Sequence, residues 1–303
     1  MGNTWVWHYF SVAGSDVNAA PRRHVIELAQ AAAAYPRGLL DLHRPPERIW
    51  VDGDISAFDA PAVAIVGTRR MTGYGERVAR ELALASAAAG VVVVSGLAQG
   101  IDSAAHRGAL DGGGRTVAVL GESIPMFLAT VRGRRRPLVP RIRVHGALVS
   151  EFAAPFSAKS WTFAQRDATI AALASVVVVV EAGERSGALI TAEDARRLGR
   201  MLYAVPGPLG SLASVGTNAL IAAGLAKALV SPDQLLRAVG RTAPPVPADA
   251  DELLDALRDG PLGLDELSRR LRSPGAVFAS RVAQHLVRGT LVALPDGRLR
   301  RSP

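Results

Sequence analysis

Two short runs of mostly β-branched residues, Val63–Val66 and Val91–Val94, flank a helical stretch, and each runs into a glycine-containing loop. Runs of four to five such residues without polar alternation are the pattern of strands buried on both faces, as in parallel sheets. Between them Val78, Leu82, Ala85 and Ala89 recur at helical spacing, and Gly90 ends the helix. The unit is strand–loop–helix–strand, and Thr116–Leu120 supplies the next strand. An α/β fold with a doubly wound, mostly parallel sheet follows, and such sheets bind ligands outside the carboxyl ends of their strands. Those ends carry Gly67-Thr68-Arg69-Arg70 and Ser95-Gly96-Leu97-Ala98-Gln99-Gly100-Ile101-Asp102.

The first loop has the composition of an anion site. Gly67 permits close backbone approach, and Gly73 and Gly75 precede a helix whose free N–H groups point outward. A dinucleotide fingerprint would need G-x-G-x-x-G and an acidic residue ending the second strand. Gly67 is instead followed by Thr-Arg-Arg, and the second strand ends in Ser95-Gly96. Two guanidinium groups at such a loop suit a partner with several phosphates, unless one of them is simply solvated.

The 303 residues suffice for one large domain and a small one, and nearly half of them are apolar. The net charge of +8, most of it arginine, favours polyanions. With no cysteine there are no disulfides, no thiol catalysis and no Cys-ligated metal. No apolar run reaches membrane-spanning length and the N-terminus has no secretory pattern, so a cytoplasmic, membrane-free protein is expected.

Along the chain, residues 24–34 read as a short helix, and 49–54 as a strand and turn feeding the main sheet. Gly121–Arg143, with prolines 125, 137 and 140 and six arginines, reads as irregular: a solvated loop or a phosphate-tracking patch. Ala147–Ser150, Val176–Val180, Leu202–Val205 and Lys227–Val230 read as strands. Lys159–Asp167 mixes basic and aromatic residues, a composition for holding phosphates while a base stacks, although Trp161 and Phe163 could equally be core. Ser186 is placed as the N-cap of a helix through Leu198, and Thr217 and Asn218 as caps of a later one or, less favoured, as ligand contacts. RTAPPVPADA (241–250) reads as a linker. Three helices at 251–258, 264–271 and 276–288, then a hairpin around Pro295-Asp296-Gly297, form a winged-helix pattern. Such domains often place their last helix in a DNA groove. The helix here offers only Arg281, His285 and Arg288, so docking to protein is an equal expectation.

GTRR-x-T-x-YG, SGLAQGID-x-AAH, EAGERSGALITAEDA, and VPG with GTNALI downstream resemble, in this order, the DNA-processing protein A (DprA/Smf) family over roughly residues 45–235. The resemblance implies a Rossmann-like domain that binds single-stranded DNA and helps load the recombinase RecA in natural transformation. It also implies a homodimer. The domain reading is then a short N-terminal segment (1–45), the Rossmann-like domain (46–240), the linker, and a winged-helix-like domain (251–303). Three departures from the family stand out. The larger helical N-terminal domain looks shortened, the Gly-rich loop after the third strand lacks its Tyr-Pro pair, and the Arg-Asn-Arg motif reads Arg166-Asp167-Ala168. Asp167 sets a carboxylate beside the expected phosphate path.

The DNA-binding set expected on both grounds is Gly67, Arg69, Arg70, Gly96, Lys159, Phe163, Arg166 and Ser186, with no catalytic residue, metal or cofactor. Two other classes stay open. One is a nucleotide-binding or nucleotide-hydrolysing enzyme of a related fold, for which Asp102 and His106, four apart on a helix, are the candidate acid–base or metal pair. The other is a regulatory adaptor with a decayed DNA site.

Overall fold

In the computed structural model, which describes residues 25–242, 252–271, 278, 281–282, 285–286 and 290–302, a nine-stranded sheet forms the frame. The chain runs through β1 (Ile26–Ala29), β2 (Arg48–Gly53), β3 (Ala62–Val66), α1 (Gly73–Ala88), β4 (Val92–Ser95), α2 (Ile101–Asp111) and β5 (Thr116–Leu120). It continues through α3 (Ile124–Thr130), α4 (Leu138–Val144), β6 (Gly146–Ser150), α5 (Ser160–Ala172), β7 (Val176–Val179), α6 (Ala188–Arg197), β8 (Met201–Ala204), α7 (Val215–Ala222), β9 (Lys227–Ala228) and α8 (Pro232–Ala238). The order across the sheet is β1-β2-β6-β5-β4-β3-β7-β8-β9. Strands β3 to β9 run parallel, and β2 and β1 extend the β6 edge antiparallel.

The two-residue period of the strands sorts the helices into layers. Val63, Ile65, Val93 and Val178 face α1, α2 and α8, packing on Ala79, Leu82, Ala83, Ala104, Ala105 and Leu235. Ala64, Val66, Val94 and Val179 face the other way, onto Ile170 and Ala171 of α5 and Ala188, Ala192 and Ala195 of α6. The buried face of α1 is turned from the expected stripe: Ala79, Leu82, Ala83 and Ser86 are buried, whereas Val78, Ala85 and Ala89 are half-buried. The small residues let α1 cross α2 closely, with Ala83 facing Gly108.

Two stretches differ from the sequence expectation. Part of residues 24–34 is the edge strand β1, paired to β2 from Ile26↔Val51 to Ala29↔Arg48, and not a helix. The stretch has apolar residues enough for either element, and the ladder hydrogen bonds to β2 that satisfy its backbone decide for the strand. Gly121–Arg143 is not irregular but holds α3 and α4. Pro125 lies in the first turn of α3, and Pro137 and Pro140 stand at the start of α4. Helix N-termini have no acceptors for those N–H groups, so proline costs little there.

The described residues fall into two units, Met1–Ala243 and Pro244–Pro303. The second contains α9 (Glu252–Ala256), α10 (Leu264–Arg270) and an antiparallel hairpin of β10 (Leu291–Ala293) and β11 (Leu299–Arg301). Leu253, Leu267, Phe278, Val282, Leu291 and Leu299 form its apolar cluster. In the third expected helix, Phe278, Arg281, Val282, His285 and Leu286 are helical, and the rest lies outside the described residues. So do residues 1–24 and most of the expected linker. No helix among the described residues is long and apolar enough to cross a membrane.

Candidate nucleic-acid interface

Strand order reverses at β3: the chain leaves β3 toward β4 through α1 on one face, and leaves β7 toward β8 through α6 on the other. The crevice between those two exits is where such sheets bind ligands. Here it is closed at its base by Glu181. The Thr68 N–H donates to the Glu181 carbonyl at 2.7 Å, and the Glu181 carboxylate accepts from the Thr72 N–H at 2.9 Å and from the Thr72 hydroxyl. Thr72 is the N-cap of α1 and accepts from the Gly75 N–H at 3.2 Å. A buried carboxylate from the chain itself thus already meets the positive end of α1 and takes the N-cap N–H, while the Gly75 N–H goes to Thr72. Gly67 remains essential to this closure, since a Cβ there would lie 2.6 Å from Ile101 and 2.9 Å from the Glu181 carbonyl oxygen.

The cationic groups gather one strand further along, over β4 and β5. Phe163, near the start of α5, is 36% exposed, and its ring packs against Gly121 at the end of β5. The guanidinium carbons of Arg69 and Arg166 lie 5.4 and 5.8 Å from its ring centroid, within cation–π range. Arg69 and Arg70 are exposed on the β3 loop. Arg166 is different: it is 6% exposed, lies over Gly96, and pairs with Asp102 at 3.7 Å and Asp167 at 3.5 Å. One buried guanidinium thus faces two buried carboxylates. Burial pushes both carboxyls up, Asp167 to about 7, while the Arg166 charge pulls both down and Asp102 repels Asp167.

Gly96 leaves the space that Arg166 fills. A Cβ there would fall 1.4 Å from an Arg166 Nη and 2.9 Å from an Asp102 carboxylate oxygen. Gly96→Ala is expected to push Arg166 off its carboxylates and to lower stability by about 1–3 kcal/mol, as overpacking of a filled site does. Urea unfolding measures this, and an unchanged midpoint would mean the guanidinium has free room elsewhere.

The remaining expected residues lie further out. Lys159 is exposed, 5.5 Å from the Phe156 ring centroid. Trp161 is 51% exposed and meets Phe152 and Phe156 edge-on at 5.9 and 6.1 Å, so neither it nor Phe163 is core. Ser186 is not the N-cap of α6. Gly187 holds that position, and the Ser186 hydroxyl accepts the Ala188 N–H at 3.4 Å. Asn218 does not cap α7 but clips the Gly207 backbone through both its amide groups, and the Thr217 hydroxyl donates to the Ser214 carbonyl. Sequence reading missed Glu181 and Gly121 as parts of the site, and it gave Asp102 an acid–base or metal role where the structure pairs it with Arg166.

Asp102 and His106 do not form an acid–base or metal pair. Asp102 is turned to Arg166 and accepts the Ala98 N–H at 3.3 Å. His106 is fully buried, shares a 2.7 Å hydrogen bond between Nδ1 and Thr116 Oγ1, and is pushed down to about 3 by burial and by Arg166. An imidazole neutral across the physiological range and closed to solvent is no proton shuttle. No group of three potential metal ligands occurs among the described residues.

A family model described as DNA recombination-mediator protein A matches residues 27–240, the greater part of the chain and nearly all of the described larger unit. The chain belongs to this family. Among DprA/Smf relatives, protein Smf of Escherichia coli (strain K12) is 33% identical over 302 residues, covering 93% of this chain and 79% of that protein. A Mycobacterium tuberculosis protein carrying the DprA name is 46% identical over 181 residues, and there the chain spans 45% of the relative's length. The X-ray structure of Streptococcus pneumoniae DprA superposes with a TM-score of 0.65 at 32% identity, covering 70% of this chain and 74% of that one. The Helicobacter pylori DprA structure, described for its single-stranded DNA binding mode, superposes at 0.63 with 28% identity, covering 71% and 94%. The DprA fold of the larger unit is thus independently supported by sequence and by shape.

Proposed function

We propose that this DprA-family chain binds single-stranded DNA through the cationic rim over β4 and β5, holding the strand without chemical turnover. The observation that carries the reading is the half-exposed Phe163 ring with Arg69 and Arg166 within 6 Å of its centroid. An aromatic face beside guanidinium groups accepts any base by stacking and its phosphate by charge, which is how strands are held without sequence preference. Arg69, Arg70 and Lys159, all exposed, take the phosphates, and Phe163 takes a base. Arg166, buried over Gly96, sets the potential beneath the ring from below. Ser186, with the backbone around Gly67 and Gly96, lines the strand ends. The H. pylori relative is described as a single-stranded DNA binder, which supports extending that activity to this chain.

The same proposal includes a cytoplasmic homodimer that hands DNA to a RecA recombinase, and a C-terminal winged-helix unit that docks to DNA or protein. The closed Asp102–His106 pair argues for binding over nucleotide hydrolysis.

Titration of labelled single strand, duplex and mononucleotide tests the reading. Single strand is expected to bind in preference to duplex and with no sequence preference. Its log–log salt slope should be about −0.7 per phosphate neutralised. A flat salt response or tighter duplex binding overturns it.

A further inference from the structure

Between α3 and α4 the chain makes a single turn of 3-10 helix, Gly133–Arg135, bounded by Arg132 and Arg136. This is the arginine-rich stretch that the site above leaves unused. Its side chains divide sharply. Arg141 and Arg143 are held in ion pairs, Arg141 with Asp111 at 3.0 Å, which it shares with Arg80, and Arg143 with Asp52 at 2.9 Å. Arg132, Arg134 and Arg136 are exposed and make no ion pair among the described residues. Arg132 instead donates to the carbonyls of Ala129 and Val131 at the end of α3, which fixes its stem and leaves its charge uncompensated.

The turn is joined to the Phe163 site by a short chain of neighbours. Phe163 packs on Gly121, and the next residue is Glu122, whose carboxyl is pushed up by burial and pulled down by the Ala158 backbone and by the Arg135 charge. Arg135 also sits 5.9 Å from the Phe127 ring centroid, which anchors the turn to the underside of α3. Arg132, Arg134 and Arg136 stand exposed on either side of Arg135, with no ion pair among the described residues. Helix α3, about 10 Å long at 1.5 Å per residue, is all the regular structure between Glu122 and the turn.

We infer that Arg132, Arg134 and Arg136 form a second phosphate-binding track that continues the path of a single strand leaving Phe163. This rests on the single-strand reading above and extends it from one stacking site to a strand of defined minimum length. The turn has no exposed aromatic of its own, so it holds backbone and not bases. It therefore adds affinity only to strands long enough to reach it.

The test compares wild type with the combined Arg132→Ala, Arg134→Ala and Arg136→Ala variant on oligothymidylates of roughly 5 and roughly 25 nucleotides, the first near the lower end of single-strand site sizes and the second beyond their upper end. The variant is expected to bind the short strand like wild type. It should bind the long strand about tenfold more weakly at low salt, with a salt slope shallower by about 2, as when up to three phosphate contacts are lost. The corresponding lysine triple keeps the charge and is expected to keep long-strand affinity. Equal binding of the long strand by the alanine variant overturns the inference, as does an equal loss on both lengths or a loss in the lysine triple as large as in the alanine one. Failure of wild type to bind either strand is a different result, because it removes the single-strand reading itself.

Discussion

Replacing Arg69 with alanine is expected to weaken single-strand binding by roughly 1.5–3 kcal/mol, about 10- to 150-fold, as for a lost hydrogen bond to a charged group. The side chain is exposed on the β3 loop and forms no ion pair among the described residues, so its charge is available to a phosphate. Its charge also pulls down the buried Asp102 and Asp167 carboxyls, and its guanidinium contacts the Phe163 ring. That contact is worth only about 0.5–1 kcal/mol at an exposed site, so the melting temperature should move little. Phe163→Ala should cost about 1–3 kcal/mol of affinity through the lost stack. Because Arg69 rests on Phe163, the two losses should sum to less than additive. Equilibrium titration of both single variants and the double variant measures this. Full additivity would mean that ring and guanidinium serve separate parts of the ligand, and an unaltered affinity for Arg69→Ala would return the residue to a solvated loop.

Asp167→Asn should stabilise the larger unit, and the gain should grow with pH. Folding places Asp167 beside Arg166 and Asp102 in a site closed to water. Burial, the largest cause, lifts its carboxyl to about 7, against about 3.9 in an unfolded chain. A raised carboxyl keeps its proton in the folded state while the unfolded chain ionises. Its contribution to stability is therefore complete below about pH 4, falls as pH rises toward 7, and is fully lost above it. At 1.36 kcal/mol per unit the loss is on the order of a few kcal/mol. Asparagine has no proton to lose and leaves Arg166 paired one-to-one with Asp102. The melting-temperature difference between variant and wild type should be smallest near pH 4 and reach several degrees, on the order of 10 °C, by pH 8. A difference that does not change with pH, or a less stable variant at pH 8, contradicts this account. The same substitution with Ala168→Arg should also tighten single-strand binding, most visibly at low salt, and only while Arg166 is intact. If it does not, the adaptor reading with a decayed site gains ground, and deletion of 241–303 should then abolish whatever binding remains.

The sequence alone determined the parallel core of the sheet and which loops stand at its carboxyl ends. Val63–Val66 and Val176–Val180 have no alternative to burial on both faces, and the loops that follow them must lie at one end of a parallel sheet. Arg69, Arg70 and Phe163 were legible as candidates because arginine and aromatic residues in loops and first turns beside strand ends are local features. The short elements were not: α3 and α4 hold few residues and several prolines, and β1 is a strand only because β2 lies beside it. Tertiary structure alone decided which charges remain free. Asp102 and Arg166 are 64 positions apart, and Thr72 and Glu181 are 109 apart. They meet because β4 and β7 flank β3 and because α5 returns its first turns over β4 and β5. Periodicity reports how one segment meets solvent over a few residues, whereas charge pairing depends on which strand ends become neighbours. The strand order set that neighbourhood, and it turned Arg166 from an open phosphate contact into the buried centre of a carboxylate pair, while Arg69 stayed exposed on the rim.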